Sequence, residues 1–397
     1  GGAAITLPAG TIDVAGTFDP SPASAYTVTV GTNVFNFSSA GAQSIPAFFY
    51  YAITNTGNGN RTWASSGIID INHTFIPGSG THTVTGSTVR YSSTSASAYS
   101  LTSFTSSASP RHYNNLELVG GASTTWDLAS GFNLGCSGNF SLTGAGTLSV
   151  AVNATANTMS VDGNLALSGT GTIRVSNMAT AGIIGTLNVT GNSTLSNGQL
   201  IMVGPSSSTT VQGNFTTNDL TISGTGQMIL DAASNTAVGT ATINGNLLVT
   251  STTANAINLG AGTANAGNTV NVKGDFTKSG TGTLGLSGTY NATAIYNFNG
   301  ATTQTWSHSG TPMTGGGITV ANGSTLQLLT NLVAASSANA NPINIAGELD
   351  AQGFTVSAGS PSNTFALNAT GTIRTSNSSG IGGTISGFTP APSFASG

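Results

Sequence analysis

Charge is what this chain has least of: of 397 residues only 5% are Asp, Glu, Lys or Arg, and the net charge is −4. The seven Lys and Arg are scattered, so no basic stripe exists to neutralise phosphates, and nucleic acid is not an expected partner. No apolar run of roughly 18 residues occurs, which excludes a membrane-spanning helix. The single cysteine, Cys136, excludes an internal disulfide, so packing and hydrogen bonds must hold the fold. Also missing are the Gly-x-Ser-x-Gly elbow, the His-Glu-x-x-His helix, the phosphate loop and the dense Gly-Gly-x-Gly-x-Asp repeat of calcium-binding solenoids. No cofactor or metal is expected.

What fills the chain is 55 glycines, abundant Ser, Thr, Asn and Ala, and short apolar stretches that bring the hydrophobic fraction to 38%. That fraction is enough for a core, and no composition shift divides the chain, so one elongated repeat body is expected. A motif recurs seven times: Cys136-Ser-Gly138-Asn139-Phe140, Val161-Asp-Gly163-Asn164-Leu165, Val189-Thr-Gly191-Asn192-Ser193, Val211-Gln-Gly213-Asn214-Phe215, Ile243-Asn-Gly245-Asn246-Leu247, Val272-Lys-Gly274-Asp275-Phe276 and Ile345-Ala-Gly347-Glu348-Leu349. From Gly138 to Gly274 the glycine spacings are 25, 28, 22, 32 and 29. A second motif follows the first in several copies, as in Gly144-Ala-Gly146 and Gly169-Thr-Gly171.

Apolar residues in and just after each motif lie an even number apart, as in Val161, Leu165 and Leu167, which fits the period of a strand with one buried face. Each spacing is then one turn of strand and corner, with Gly-Asn and Gly-Thr-Gly supplying positive φ at the corners. Such a turn cannot bury its own inward face. Turns must stack, and the expected fold is all-β, a parallel β-solenoid with turns of roughly 22–32 residues. About 15 turns at about 4.8 Å per step give a rod of about 70 Å. Asn139, Asn164, Asn192, Asn214, Asn246 and Asp275 should stack in register, as a ladder of amides bonding one another rather than a row of ligands. Cys136 reads as a small buried hydrophobe.

Three portions are expected: an irregular N-terminal solenoid over 1–112 with a Ser-rich insertion or long loop near 92–110, a regular solenoid over 113–290, and a C-terminal portion over 291–397. All three tryptophans follow an aromatic strand, in Arg61-Thr-Trp63, Thr124-Thr-Trp126 and Gln304-Thr-Trp306. Packing at a solenoid corner is the favoured reading over a sugar platform. Two acidic groupings stand out, Asp70/Asn72/His73 with His82, and Glu348/Asp350; neither has a third group at a spacing that completes a catalytic or metal site. No enzymatic role is expected.

The segment Val34-Phe35-Asn36-Phe37 through Ile45-Pro46-Ala47-Phe48-Phe49-Tyr50-Tyr51, with the Val-x-Gly-Asn-Phe motifs, resembles the repeat modules of large cell-surface proteins of Bacteroidota. The resemblance covers most of the chain. It implies an exported adhesin or filament component, many of which leave the cell by type IX secretion. The start at Gly1-Gly2 reads as a mature or excised product, and no sorting domain is recognisable after Phe388-Thr-Pro390-Ala-Pro392. Strand-like Ile5-Thr-Leu7 and Gly383-Thr-Ile385 lie near the ends with no amphipathic helix to cap them. The expected function is a structural subunit of an extracellular homopolymeric filament or surface fibre, with copies of itself end to end and surface glycans as partners. Alternatives are a segment of a long monomeric adhesin, a polysaccharide-acting solenoid enzyme and, last, ice binding by Thr rows such as Thr27/Thr29 and Thr81/Thr83.

Overall fold

The computed structural model describes residues 3–7, 9–20, 26–29, 31–93, 95–152, 155–178, 180–205, 207–208, 210–232, 236–260, 267–285, 294–310, 313–334 and 341–395. Alternation of buried and exposed residues along the strands, as in Asn157–Val161 and Val238–Ile243, turns one edge of each strand inward. A single strand has nothing to bury that edge against. Stacking supplies it, and the chain is a parallel β-solenoid of about 13 turns with almost no helix.

Each regular turn lays one strand on each of three sheets. Sheet I has 14 strands, from Phe49–Tyr50 to Thr372–Arg374, and runs without a break through all three expected portions. Sheet II has eight strands, from Ala98–Leu101 to Leu284–Gly285. A four-stranded sheet ending at Phe75–Ile76 and a three-stranded sheet beginning at Leu332–Val333 take the same place in the turn before and after it. Sheet III has 11 strands, from Leu134–Cys136 to Ser393–Phe394, after a three-stranded sheet of Gln43–Ile45, Arg61–Trp63 and His82–Thr83. With strands about 4.8 Å apart, sheet I is about 60 Å long. By strand register, turns take from 18 residues, between Gln43 and Arg61, to 30, between Phe276 and Trp306.

One core runs the length of the stack, made of inward columns from all three sheets. On sheet I the column reads Ile71, Tyr91, Leu118, Leu142, Leu167, Leu195, Ile222 and Val249. On sheet III, Phe215 faces Leu187 on one side and Ala241 on the other, a large ring beside a small side chain. Cys136 is buried opposite Val161 in that sheet, and burial pushes its thiol pKa up, which keeps it protonated and inert.

The Ser-rich stretch 92–110 is not an insertion outside the stack. It carries the strand Ala98–Leu101, which opens sheet II against Thr125–Leu128, and a bridge from Ser106 to His82. Near the C-terminus Gly380–Thr384 forms one short helical turn where a strand was expected, because Thr384 Oγ1 donates to Gly380 O and Gly380 takes a φ of +64°.

The corner glycines differ from expectation in their physical reason. Gly138, Gly163, Gly191, Gly245 and Gly274 have no positive φ. They are glycine because the turn beneath is too close: a Cβ on Gly191 would lie 2.5 Å from both Asn164 Oδ1 and Gly163 O, and one on Gly274 2.5 Å from Gly245 O. Backbone hydrogen bonds join these corners directly, Gly163 N–H to Gly138 O at 2.9 Å and Gly191 N–H to Gly163 O at 3.0 Å.

The residue two before each tryptophan has a role that the sequence did not reveal. Gln304 is buried at a corner, where its Nε2 donates to Val272 O (2.7 Å) and Gly274 O (2.9 Å) and its Oε1 accepts from Gly300 N–H. Gln43 repeats this with Val14 O, Gly16 O and Ser39 N–H. Arg61, in register with Gln43, donates to Phe37 O (2.8 Å), Ser39 O (3.1 Å) and Gly59 O (2.7 Å). Thr124 donates to Ser95 O. Each plug bonds corner carbonyls, some of which, such as Val14 O and Val272 O, also accept a backbone N–H from the adjacent turn. The tryptophans that follow are buried in the core, so none offers a ring face to sugar.

Replacing Gly191 by Ala is expected to destabilise the fold by about 1–3 kcal/mol, because both atoms that the new methyl meets belong to the adjacent turn. Gly382→Ala, where a Cβ would meet nothing within 4 Å, is expected to be nearly neutral. Chemical denaturation of the two variants distinguishes these outcomes.

Candidate functional site

The repeated Gly-Asn motif forms a ladder on the outside of the stack. Asn115 Oδ1 accepts the backbone N–H of Asn139, Asn139 that of Asn164, and Asn164 that of Asn192, each at 2.8 Å. Asn192 serves Asp219 (3.2 Å), Asp219 serves Asn246 (2.7 Å), Asn246 serves Asp275 (2.8 Å), and Asp275 serves Thr305 (2.8 Å). Side chains were expected to bond one another; only Asn218 Nδ2 to Asn192 Oδ1, at 2.9 Å, does so. The working group is therefore a single acceptor oxygen aimed at a backbone donor. That is why Asp replaces Asn at positions 219 and 275.

Two of the seven motif copies do not belong to this ladder in the register expected. Gly213 and Asn214 lie on sheet III, where Gly213 pairs with Gly185 and Gly239. This is a different corner: Cβ atoms on these glycines would strike the carbonyls of Val175, Met202 and Leu230, in the preceding strand of their own turns. Asn218 and Asp219 fill the ladder position in that turn, 26 and 27 residues beyond Asn192, so the uneven glycine spacings of 22 and 32 arose from a misplaced copy. Gly347 is displaced by two residues, since Leu349 opposes Leu326 while Trp306 opposes Leu328. A slip of two leaves the inward set inward, so burial does not forbid it.

The acidic groupings do not converge. Asp70, Arg90 and Glu117 sit side by side on sheet I, with Arg90 Nη1 3.5 Å from Asp70 and Nε 2.8 Å from Glu117. Asn72 donates to Ser92 O, and His73 stacks on Tyr51. His82 is buried elsewhere: its Nδ1 accepts from Trp63 Nε1 (2.8 Å), which leaves Nε2–H to donate to Pro77 O (2.9 Å). Glu348 pairs with Arg374, while Asp350 accepts from Gln327 and Gln352 Nε2. Among the described residues no group of three His, Cys, Asp or Glu is placed to hold a metal ion.

Two cavities open along the stack. The first, about 400 Å³, lies between Thr74–Ile76 and Ser97–Thr102, two successive rungs that do not pair, with His73 and Tyr91 in its wall. The second, about 280 Å³, is lined by Trp306, His308, Gly310, Met313, Thr330, Asn331 and Val333. Its wall is drawn from two successive turns, one carrying Trp306, His308, Gly310 and Met313 and the other Thr330, Asn331 and Val333. Burial, and then the nearby Lys278 ammonium, lower the pKa of His308 to about 4, so its ring is neutral at pH 7. Neither cavity was legible in the repeat, because each is walled by residues of successive turns whose register the motif does not show.

Substituting Asp for Asn164 is expected to leave stability nearly unchanged. Leu there leaves the Asn192 N–H without its acceptor and is expected to lose about 0.5–1.5 kcal/mol, read by denaturation. Burial lowers the pKa of His82, His112 and His308 from 6.5. The unfolded chain then binds more protons near that pH than the folded one, so stability is full above about pH 6.5 and falls as pH drops towards 5. Burial acts in the opposite sense on Asp70 and Asp127, raising them from 3.8, nearer the acid limit. Thermal melts between about pH 7 and about pH 5 should show a falling Tm. In comparison with known proteins, the chain matches no family model, no curated protein and no solved structure.

Proposed function

We propose that the chain is a structural unit of an extracellular surface fibre, in which solenoids add end to end and present their outer faces for adhesion. The observation that carries this reading is the unbroken sheet I. Each of its 14 strands offers the next one the same row of backbone N–H and C=O groups. Beside its central strands the Asn and Asp ladder adds one acceptor per rung. A further turn, whether from the same chain or from another copy, adds on the terms that already join turn to turn. The outer surface supports an exported role, being rich in Ser, Thr and Asn in a chain with 5% charged residues. The resemblance of the repeat motifs to Bacteroidota surface modules supports placement at the cell surface by type IX export. Surface glycans are the proposed adhesion partners.

A polysaccharide-acting enzyme has less support, since Asp70, Glu117, Glu348 and Asp350 are each engaged with Arg or Gln across neighbouring rungs. Electron microscopy and sedimentation across a wide concentration range test the fibre. Unbranched filaments with a meridional spacing of about 4.8 Å are expected. Monomers at every concentration would overturn end-to-end assembly and favour a segment of a long monomeric adhesin.

A further inference from the structure

Sheet III turns outward a face whose polar groups the fold leaves unused. Over five successive rungs, from Asn157–Val161 to Thr269–Val272, the residues Met159, Leu187, Phe215, Ala241 and Val270 are buried, while the alternate positions are partly exposed. Those positions form two columns side by side. One reads Thr158, Thr186, Asn214, Thr240 and Thr269, and the other Ser160, Asn188, Thr216, Thr242 and Asn271. Asn297, Thr319 and Asn344 carry the second column three rungs further.

The composition of the chain does not account for this. Over the same turns the outer column of sheet I is interrupted by Ala166 and Leu248, and sheet II sets Arg174, Ile201 and Ile229 in line. On sheet III all ten positions are Thr, Asn or Ser. The Thr pairs that stand out in the residue order lie elsewhere, with Thr29 and Thr83 in separate short sheets. In the corner ladder each Asn Oδ1 accepts a backbone N–H, but on this face the side chains of Thr186, Asn188, Asn214, Thr216 and Thr240 bond no other described residue.

We propose that this face binds ice. The array repeats in two directions, about 4.8 Å along the stack and about 6.6 Å along each strand, and so fits a partner that repeats on that scale, as the oxygen lattice of ice does. Its hydroxyl and amide groups both donate and accept, as lattice water does, and neither column carries a charge that would hold a hydration shell of its own. Six of the ten residues are Thr, whose branched side chain is stiff at χ1, so the array is ordered before its partner arrives. A crystalline polysaccharide also repeats, but sugar rings pack on aromatic faces and the two columns hold none. The proposal does not depend on fibre assembly.

The test grows ice slowly in a dilute solution of the full chain and measures the share of protein taken into the solid, with thermal hysteresis as a second readout. Enrichment in the ice and a measurable hysteresis gap are expected. Thr216→Tyr and Thr242→Tyr each raise a ring from the middle of the array and should abolish both, whereas Thr221→Tyr, on sheet I in the same turn as Thr216, should keep both. Tyrosine is a good strand former, so all three variants should melt near the parent. Exclusion of the parent chain from ice, an equal loss in Thr221→Tyr, or full activity in both sheet III variants would overturn the proposal. Retention on crystalline cellulose or chitin without uptake into ice would also overturn it, as would a dimer that Thr216→Tyr dissociates without any uptake into ice.

Discussion

Every residue in this molecule must coexist with its counterpart one turn away, at the separation set by parallel backbone hydrogen bonds. That spacing, about 4.8 Å, leaves no freedom at corners, where the chain bends and side chains would otherwise point along the stack. The corner glycines answer it by omission. At Gly163, Gly191 and Gly274 a methyl would enter the carbonyl or the Asn Oδ1 of the turn beneath. The ladder Asn and Asp answer it by use, since an oxygen held one step away from an N–H completes a hydrogen bond that the strand itself no longer provides. Each rung thus fixes the height of the next.

The same constraint decides which polar groups the core tolerates. Gln43, Arg61, Thr124 and Gln304 are buried, yet each reaches carbonyls at a corner, and Arg61 Nε also donates to Asn55 Oδ1. They behave as structural plugs at the corners. Lys278 follows the same pattern, buried in sheet I with its Nζ donating to Gly280 O and Ser309 O. Trp306 Nε1 and His308 Nε2 differ, being buried without a hydrogen-bond partner.

Much of the fold was legible because the strand period and the repeat period are both printed in the residue order. Alternation at Val161/Leu165/Leu167 identified strands, and the return of Gly-Asn at intervals near 27 residues identified turns. Register was not legible at every copy. Val211-Gln-Gly213-Asn214-Phe215 has the letters of the motif but sits on sheet III, while Asn218-Asp219 occupies the ladder without a glycine. Letters alone do not distinguish two corners that both exclude a Cβ for different reasons, one against the turn beneath and the other against the preceding strand of its own turn.

The sequence by itself determined a parallel stack of strands with a continuous apolar core, because period-two hydrophobicity in units unable to bury themselves has few other outcomes. It also determined that Cys136 and the tryptophans lie inside. Only the tertiary structure decided which residues share a rung, since register is set by how turns of 18 to 30 residues close rather than by the motif they carry. Only the tertiary structure also set Trp306 and His308 beside Thr330 and Val333 in the wall of one cavity, because those residues belong to successive turns whose register the motif does not show.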